Sequence, residues 1–334
     1  VLVVRNADLK PYHTFSVSQR ALELWLLESV EDIPCLIEDL ASHPMPHVLL
    51  GAGSNTLFTR DYAGRVILNR LQGKVVLEED ENSVLLQVAA GENWHELVLY
   101  SLKQGYGGIE NLSLIPGSVG AAVVQNIGAY GVEFVSVLAF VEAIDLKAGE
   151  KRIFQKEDCA LSYRDSIFKH AGYENWLITS VVLRLSKKPK FVLTYRGLEE
   201  LQQRNHLTPA DVSEVVIKLR ESKLPDPSVI ANAGSFFKNP VIDSTFAKSF
   251  CEKYPDCPHF PHGIDTKISA AWLLEQLGWK GFRDGDAGVY EHHALVLVNH
   301  GLATGDELLK LAHEMQNSVQ RQFHIGLEPE VKLV

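Results

Sequence analysis

The sequence predicts an α+β fold spread over two or three domains, and three observations lead there. At 334 residues the chain is longer than one compact core usually holds. Strand and helix segments alternate without a sustained parallel strand–helix–strand rhythm, which disfavours a doubly wound sheet. Beyond Leu185 the composition shifts at the basic break Lys187-Lys188-Pro189-Lys190, and helices follow.

In chain order, Thr14-Phe15-Ser16-Val17 reads as extended and Val30 to Leu40 as a helix. Val48-Leu49-Leu50 is a short buried strand ending at a glycine turn, and Val66-Ile67-Leu68 is another strand. Lys74 to Leu77 and Ser83 to Ala89 alternate as a hairpin, with the polar tip Glu79-Asp80-Glu81-Asn82 between them. Trp94 to Gln104 places Leu97, Val98 and Leu102 at helical spacing and stops at Gly105. Val135 to Leu146 and Trp176 to Leu185 read as strands. Ala210 to Glu221 is a helix ended by Leu224-Pro225-Asp226-Pro227. Ser244 to Tyr254, Ser269 to Leu277 and Gly305 to Phe323 are further helices. Ala294 to Val298 is a buried strand, and Val331 to Val334 a last one.

A hydrophobic content of 46% with 22% charged residues is that of a soluble globular protein. No apolar run reaches the roughly 18 residues of a membrane span, and no signal pattern opens the chain. Cys35, Cys159, Cys251 and Cys257 are too few and scattered for a disulfide framework, so a reducing cytoplasm is expected. The formal net charge of −10 argues against general affinity for nucleic acid or anionic lipid. An anionic ligand must then be held by local cations or backbone N–H groups.

Four segments carry the functional signal. Gly51-Ala52-Gly53-Ser54-Asn55 follows a strand; without a Cβ, glycine lets backbone amides approach an anion. It is neither a dinucleotide-binding fingerprint nor a P-loop, and taken alone it reads first as a tight turn. Pro116-Gly117-Ser118-Val119-Gly120-Ala121-Ala122, running into Gln125-Asn126-Ile127-Gly128-Ala129-Tyr130-Gly131, has four glycines and almost no charge. That suggests backbone pressed against a flat apolar ligand, or else a buried turn. Tyr163-Arg164-Asp165-Ser166 and Gly234-Ser235-Phe236-Phe237-Lys238-Asn239-Pro240 set a cation and a hydroxyl in apolar surroundings. Together the four suggest a flavin-dinucleotide enzyme with an anionic substrate.

With these motifs, over nearly its whole length from His13-Thr14-Phe15 to Leu327-Glu328-Pro329-Glu330, the chain resembles the UDP-N-acetylenolpyruvoylglucosamine reductases. These are the UDP-N-acetylmuramate dehydrogenases of bacterial cell-wall synthesis. The resemblance implies a two-domain FAD-binding module of the vanillyl-alcohol-oxidase type plus a C-terminal α+β substrate-binding domain. The implied boundaries are 1–72 and 73–212 for the flavin module, 213–323 for the substrate domain, and 324–334 returning to the second subdomain. It also implies noncovalent FAD, NADPH as reductant, and a nucleotide-sugar substrate; a monomer without nucleic-acid or membrane partners is expected. Gly51, Gly53, Ser54, Asn55, Gly117 and Ser118 would hold FAD. Gly120, Ala121, Ala122, Ile127 and Gly128 would join them. Some relatives carry hydroxyl residues at the positions of Ala121 and Ala122, so only backbone N–H groups would serve there. His13 stands where the family usually has asparagine, and Val123 where it has proline.

The implied reaction adds a hydride from flavin N5 to the enolpyruvyl CH2 carbon and then protonates the adjacent carbon. An enolate-like charge develops on the carboxyl group and needs a fixed cation. Arg164 suits that task, since guanidinium forks onto a carboxylate; read from its residues alone, it could instead pair with Asp165. Glu330 would assist from the other side, protonated or holding a water. Ser235 would deliver the proton, with Lys238 easing negative charge on its oxygen; otherwise it is a turn serine. Arg220 and Lys223, three apart at a helix end, would share one face and bind the diphosphate. Asn239 and His293 match nucleotide-sugar contacts, His293 replacing a glutamine with a titratable group. Tyr130 would line the same cavity, and Tyr195 resembles the substrate-loop tyrosine of the longer-chain subtype.

Cys251, Cys257, His259 and His262 look like a zinc quartet, but their spacing is wide and three prolines intervene, so no metal is expected. A flavin oxidase of a hydroxylated substrate and a non-catalytic nucleotide-sugar binder are the rival readings. The first lacks an obvious base, and the second does not need Arg164, Ser235 and Glu330 together.

Overall fold

A computed structural model describes residues 1–334. The chain divides into two compact units. One comprises Val1–Ala7, Ala21–Gly53 and Ala63–Ser222; the other comprises Asp8–Arg20, Ser54–Tyr62 and Lys223–Val334.

The first unit is built on two sheets. The smaller orders its strands Leu2–Asp8, Arg20–Leu27, Tyr62–Asn69 and His47–Leu50. Its last pair is parallel, with Val48 opposite Val66. Helix α1 (Ile33–Ser42) packs Ile33 and Leu36 with Trp25, Leu27 and Ile67. Arg65, fully buried, is held there by Glu23 at 2.9 Å, by Asp39 of α1, and by the Trp25 ring 4.8 Å from its guanidinium. Burying that charge is tolerable because its partners are in place.

The larger sheet is antiparallel throughout and orders Lys151–Gln155, Leu138–Asp145, Trp176–Ser186, Ser83–Ala89 and Lys74–Glu79. Val84, Leu86 and Val88 alternate into its core, the two-residue period of a strand with one wet face. Helices α2 (Trp94–Lys103) and α3 (Val119–Val124) contribute Trp94, Leu97, Val98, Val119 and Ala122 to the same core. Helix α4 (Pro209–Glu221) starts at a capping box of Thr208 and Asp211. It packs Val212 and Val216 on Leu198, Leu201 and Tyr130.

The second unit orders Ala231–Ser235, Val296–Asn299, Ala287–Val289 and Arg283–Asp284 in its main sheet. Helices α5 (Ser244–Lys253), α6 (Ala270–Gln276) and α7 (Gly305–Phe323) meet through Phe250, Tyr254, Trp272 and Phe323. The last strand, Lys332–Leu333, runs parallel to Thr56–Leu57. It therefore pairs within residues 1–72 of the implied division, not with 73–212.

Two local expectations are corrected. Thr14 and Phe15 form a turn closed by the Ser16 N–H to His13 O bond, with Ser16 at φ +50°, not an extended run. Val119–Val124 is a helix where small residues and glycines read as a turn; Ser118 caps it. Strands Leu2–Asp8, Arg20–Leu27 and Ala231–Ser235 also went unread. The first is mostly exposed, and the last, Ala-Asn-Ala-Gly-Ser, has poor strand propensity and is imposed by its partner.

His13 is buried beside Phe58, with Nε2 3.2 Å from Val17 O. Burial pushes its imidazole down to about 4, against 6.5 in the unfolded chain. Its neutral form thus contributes stability that is present above pH 6.5 and lost as pH falls through 4, about 3 kcal/mol in full. In chemical denaturation series from pH 7 to pH 4, His13→Asn is expected to lose about 3 kcal/mol less than the parent. Equal losses would contradict this account of His13.

Candidate functional site

The loop after His47–Leu50 is shaped by its glycines. A Cβ on Gly51 would stand 2.4 Å from Ser118 Oγ, and Gly53 sits at φ +65°. No carbonyl or side chain accepts from the amides of Gly51, Ala52 and Gly53, which leaves them for a ligand. The start of α3 is different. Val119 N–H donates to Glu92 O, Gly120 N–H to Ala90 O, and Ala122 N–H to Ser118 O. Ala121 N–H reaches Ser118 Oγ at 3.4 Å. The Ala122 amide is therefore spent internally, which corrects the expectation that both alanine amides serve an anion; only the weakly engaged Ala121 amide has that capacity. Gly120 is needed because its Cβ would fall 2.8 Å from the Ala90 Cβ, and Gly117 holds φ +137°. Ile127 is half-buried and tied at both ends, N–H to Ala122 O and O from Phe134 N–H.

The segment bearing Arg164 is a tight turn: Ser162 and Asp165 exchange both backbone hydrogen bonds at 3.1 Å. Arg164 occupies the left-handed region at φ +55°, a strained conformation for a non-glycine residue. Three bonds fasten the turn to residues 124–128. Asn126 Nδ2 donates to Ser162 O (2.8 Å), Ser166 Oγ to Val124 O (2.8 Å), and Arg164 Nη2 to Gly128 O (2.8 Å). Gly128 gives the guanidinium room, since a Cβ there would lie 3.1 Å from Nη1. Asp165 pairs with His170 Nε2 at 2.7 Å, so the Asp165–Arg164 pair considered from sequence does not form. Asn126, fully buried, was not singled out as a site residue. Its signal was an amide inside a run of small residues, here at φ +39° and bonded to Ser162, Glu133 and Val135.

Tyr130 (φ +50°) stands edge-on to Tyr195, ring centroids 4.9 Å apart, and burial raises its phenol pKa. Tyr195 is exposed in the loop before Leu198. Arg220 lies near the end of α4. Burial lowers its pKa; Tyr130 opposes this and Arg164 adds to it. Its Nε is buried without a hydrogen-bond partner. Helix α4 ends at Glu221 with Ser222 as C-cap, so Lys223 lies beyond it and is exposed. The shared helical face expected for Arg220 and Lys223 does not exist.

In the second unit, Ser235 ends its strand opposite Val296 after a register shift at Asn232, with Gly234 at φ +69° donating to Asn232 Oδ1. The chain then threads between two partners. Phe236 N–H donates to Leu295 O, Glu330 N–H to Phe236 O, and Lys238 N–H to Glu328 O. The segment ending at Glu330 therefore runs antiparallel beside the chain that follows Ser235, through the isolated bridge of Phe237 and Pro329, with Phe236 and Phe237 buried. Asn55 Nδ2 holds Glu330 O at 3.0 Å, while Ser54 is half-buried just before it. Lys238 Nζ is 3.6 Å from Glu328, and Asn239 Oδ1 accepts the first N–H of α6 from Ala270 at 2.9 Å. His293 Nδ1 accepts from Leu295 N–H, so its neutral form carries the proton on Nε2. Burial, then Lys223 and Lys280, lower its pKa against the pull of Glu275. At neutral pH it offers a neutral donor, much as a glutamine amide would, instead of the titrating contact expected.

Cys257 is buried, with its thiol pushed up to about 11 by burial, and His259 Nδ1 lies 3.0 Å from Cys257 O. These side chains do not gather with Cys251 and His262 into a metal-binding group. No helix is long and apolar enough to cross a membrane.

Residues 24–152 match the FAD binding domain family. Residues 226–334 match the C-terminal domain of UDP-N-acetylenolpyruvoylglucosamine reductase. A UDP-N-acetylenolpyruvoylglucosamine reductase of Chromobacterium violaceum is 45% identical, covering 97% of both chains. One of Escherichia coli K12 is 41% identical over 98% of this chain and 96% of its own. A solved UDP-N-acetylenolpyruvylglucosamine reductase from Thermus caldophilus covers 100% of this chain and 98% of its own, at 26% identity and a TM-score of 0.68. The α+β fold, pairing a FAD-binding module with that C-terminal domain, is as expected.

The Gly51–Ser118 approach yields a direct test. Gly51→Ala is expected to lower FAD retention, read as the 450-to-280 nm absorbance ratio, and to weaken FAD affinity about tenfold, from steric displacement of one loop. Adding Ser118→Ala removes the 2.4 Å clash and should recover part of the loss. Undiminished FAD binding by Gly51→Ala would contradict the cradle.

Proposed function

The chain belongs to the UDP-N-acetylenolpyruvoylglucosamine reductase family, and we propose that it reduces UDP-N-acetylglucosamine enolpyruvate to UDP-N-acetylmuramate with NADPH as reductant. This is a step of peptidoglycan precursor synthesis. All four cysteines are free thiols, which supports the cytoplasm as its location.

FAD would be held by the Gly51–Asn55 loop and the segment from Gly117 to Gly128, and once reduced by NADPH it would supply the hydride that the enolpyruvyl CH2 carbon takes up. The residues of the chain supply the rest. Arg164 receives the substrate carboxylate, its guanidinium preset by the strained turn and the Gly128 carbonyl. The negative charge that develops on the carboxylate meets a donor already oriented, so no reorganisation is required as it forms. Ser235 hands a proton to the neighbouring carbon, and Glu330, whose N–H is bonded to Phe236 O, supports the carboxylate. Lys238 is oriented by its backbone bond to Glu328 and lowers the cost of negative charge on the serine oxygen. Tyr130, Tyr195, Arg220, Lys223, Asn239 and His293 bind the nucleotide sugar. The observation that supports the reading most is the backbone clamp in which Phe236 N–H donates to Leu295 O and Glu330 N–H to Phe236 O, next to Ser235.

The test separates two half-reactions. Anaerobic NADPH should bleach the yellow protein, and the enolpyruvyl nucleotide should restore the colour; rapid reoxidation by air alone would favour an oxidase. Ser235→Ala should bleach normally yet recolour about 10²–10⁴-fold more slowly, the scale of a lost positioned proton donor. Equal slowing of both half-reactions would give Ser235 a structural role only.

A further inference from the structure

We propose that His95 is a further substrate-binding residue: its imidazole Nε2–H, beside the Arg220 guanidinium, donates to an anionic oxygen of the nucleotide sugar. This rests on the reading that Arg220 receives an anionic group of that substrate. The oxygen belongs to the diphosphate or to the enolpyruvyl carboxylate.

The geometry begins at Leu114. That residue is held at φ +58°, and its N–H donates to His95 Nδ1 at 3.0 Å. An accepting Nδ1 leaves the single proton of the neutral ring on Nε2. His95 sits in the first turn of α2, half-buried. Arg220, on α4, is near enough to act electrostatically on His95. Ser213 Oγ is 2.7 Å from Ser113 Oγ, which fixes the α4 face that packs on residues 110–114. Arg220 follows Ser213 by seven residues, about two turns, and so lies on that face. Burial, and then Arg220, lower the His95 pKa against the pull of Glu96, which keeps the ring neutral. Arg220 itself has a buried Nε without a hydrogen-bond partner and makes no carboxylate pair. A half-buried guanidinium with a buried, unbonded Nε is a cost to the fold that an arriving anion would offset. The neutral donor adds a hydrogen bond to the anion without adding to the cation–cation repulsion already present between Arg220 and Arg164.

The test uses the FAD-loaded full chain and two variants. His95→Asn keeps an acceptor for Leu114 N–H and removes the Nε2 donor; His95→Gln can place an amide N–H near Nε2. Titrations with UDP, uridine and the enolpyruvyl nucleotide follow. His95→Asn is expected to weaken UDP about tenfold if the oxygen is on the diphosphate. If it is on the carboxylate, only the enolpyruvyl nucleotide weakens. Uridine affinity, FAD content and melting temperature should hold, and His95→Gln should recover most of the loss. Parent-like binding by both variants would overturn the proposal, as would losses of binding that only track losses of stability or FAD. If Arg220→Met leaves UDP and enolpyruvyl-nucleotide affinity intact, the reading of Arg220 fails, whatever His95 does.

Discussion

The Arg220 guanidinium is half-buried, with a buried Nε that has no hydrogen-bond partner and no carboxylate paired to it. Holding such a charge partly out of water without a partner opposes folding. Helix α4 absorbs the cost through its own supports: the Thr208–Asp211 capping box and the packing of Val212 and Val216 on Leu198 and Leu201. The acids of α4 are committed elsewhere, Asp211 to Arg204 and Glu214 to Lys218. In a chain of net charge −10, keeping carboxylates off a cation is a specific arrangement. It makes physical sense where an anion is to arrive.

The same holds for the other side chains proposed to act on the substrate. Arg164 is oriented by a neutral carbonyl and by a backbone conformation that the Asn126 and Ser166 bonds hold in place. Ser235 is placed by a strand clamped on both sides, and Glu330 by the backbone bond that completes the clamp. His95 and His293 each accept a backbone N–H at Nδ1 and are kept neutral first by burial. For Arg164, His95 and His293 a backbone bond sets the donor direction before a ligand is present, which is what preorganisation requires.

Much of this was legible in the sequence. Long periodic segments such as Gly305–Phe323 and Trp94–Lys103 declared themselves, because one buried face at helical spacing is enough. The glycine segments and the motif residues Arg164, Ser235 and Glu330 were legible as family signals. What was not legible came from tertiary partners. Ala231–Ser235 is a strand because Val296–Asn299 and the clamp make it one. Val119–Val124 is helical because Ser118 caps it and its apolar side enters a core, although glycine and small residues read as a turn. The spacing of Arg220 and Lys223 suggested one helical face, but spacing does not reveal where a helix ends. The roles of Asn126 and His95 depend on bonds to residues far along the chain or at left-handed positions, and local pattern carries no trace of these.

Under the proposed function, Arg220 is kept for an anionic ligand at a cost to the fold. Thermal melting of the FAD-loaded Arg220→Met protein, with and without UDP, tests it most directly. Removing the unmatched charge should raise the melting temperature by about 2–4 °C, the scale of roughly 1 kcal/mol in a domain of this size, while the stabilisation by UDP seen in the parent disappears. A lower melting temperature together with a parent-sized UDP shift would contradict the account.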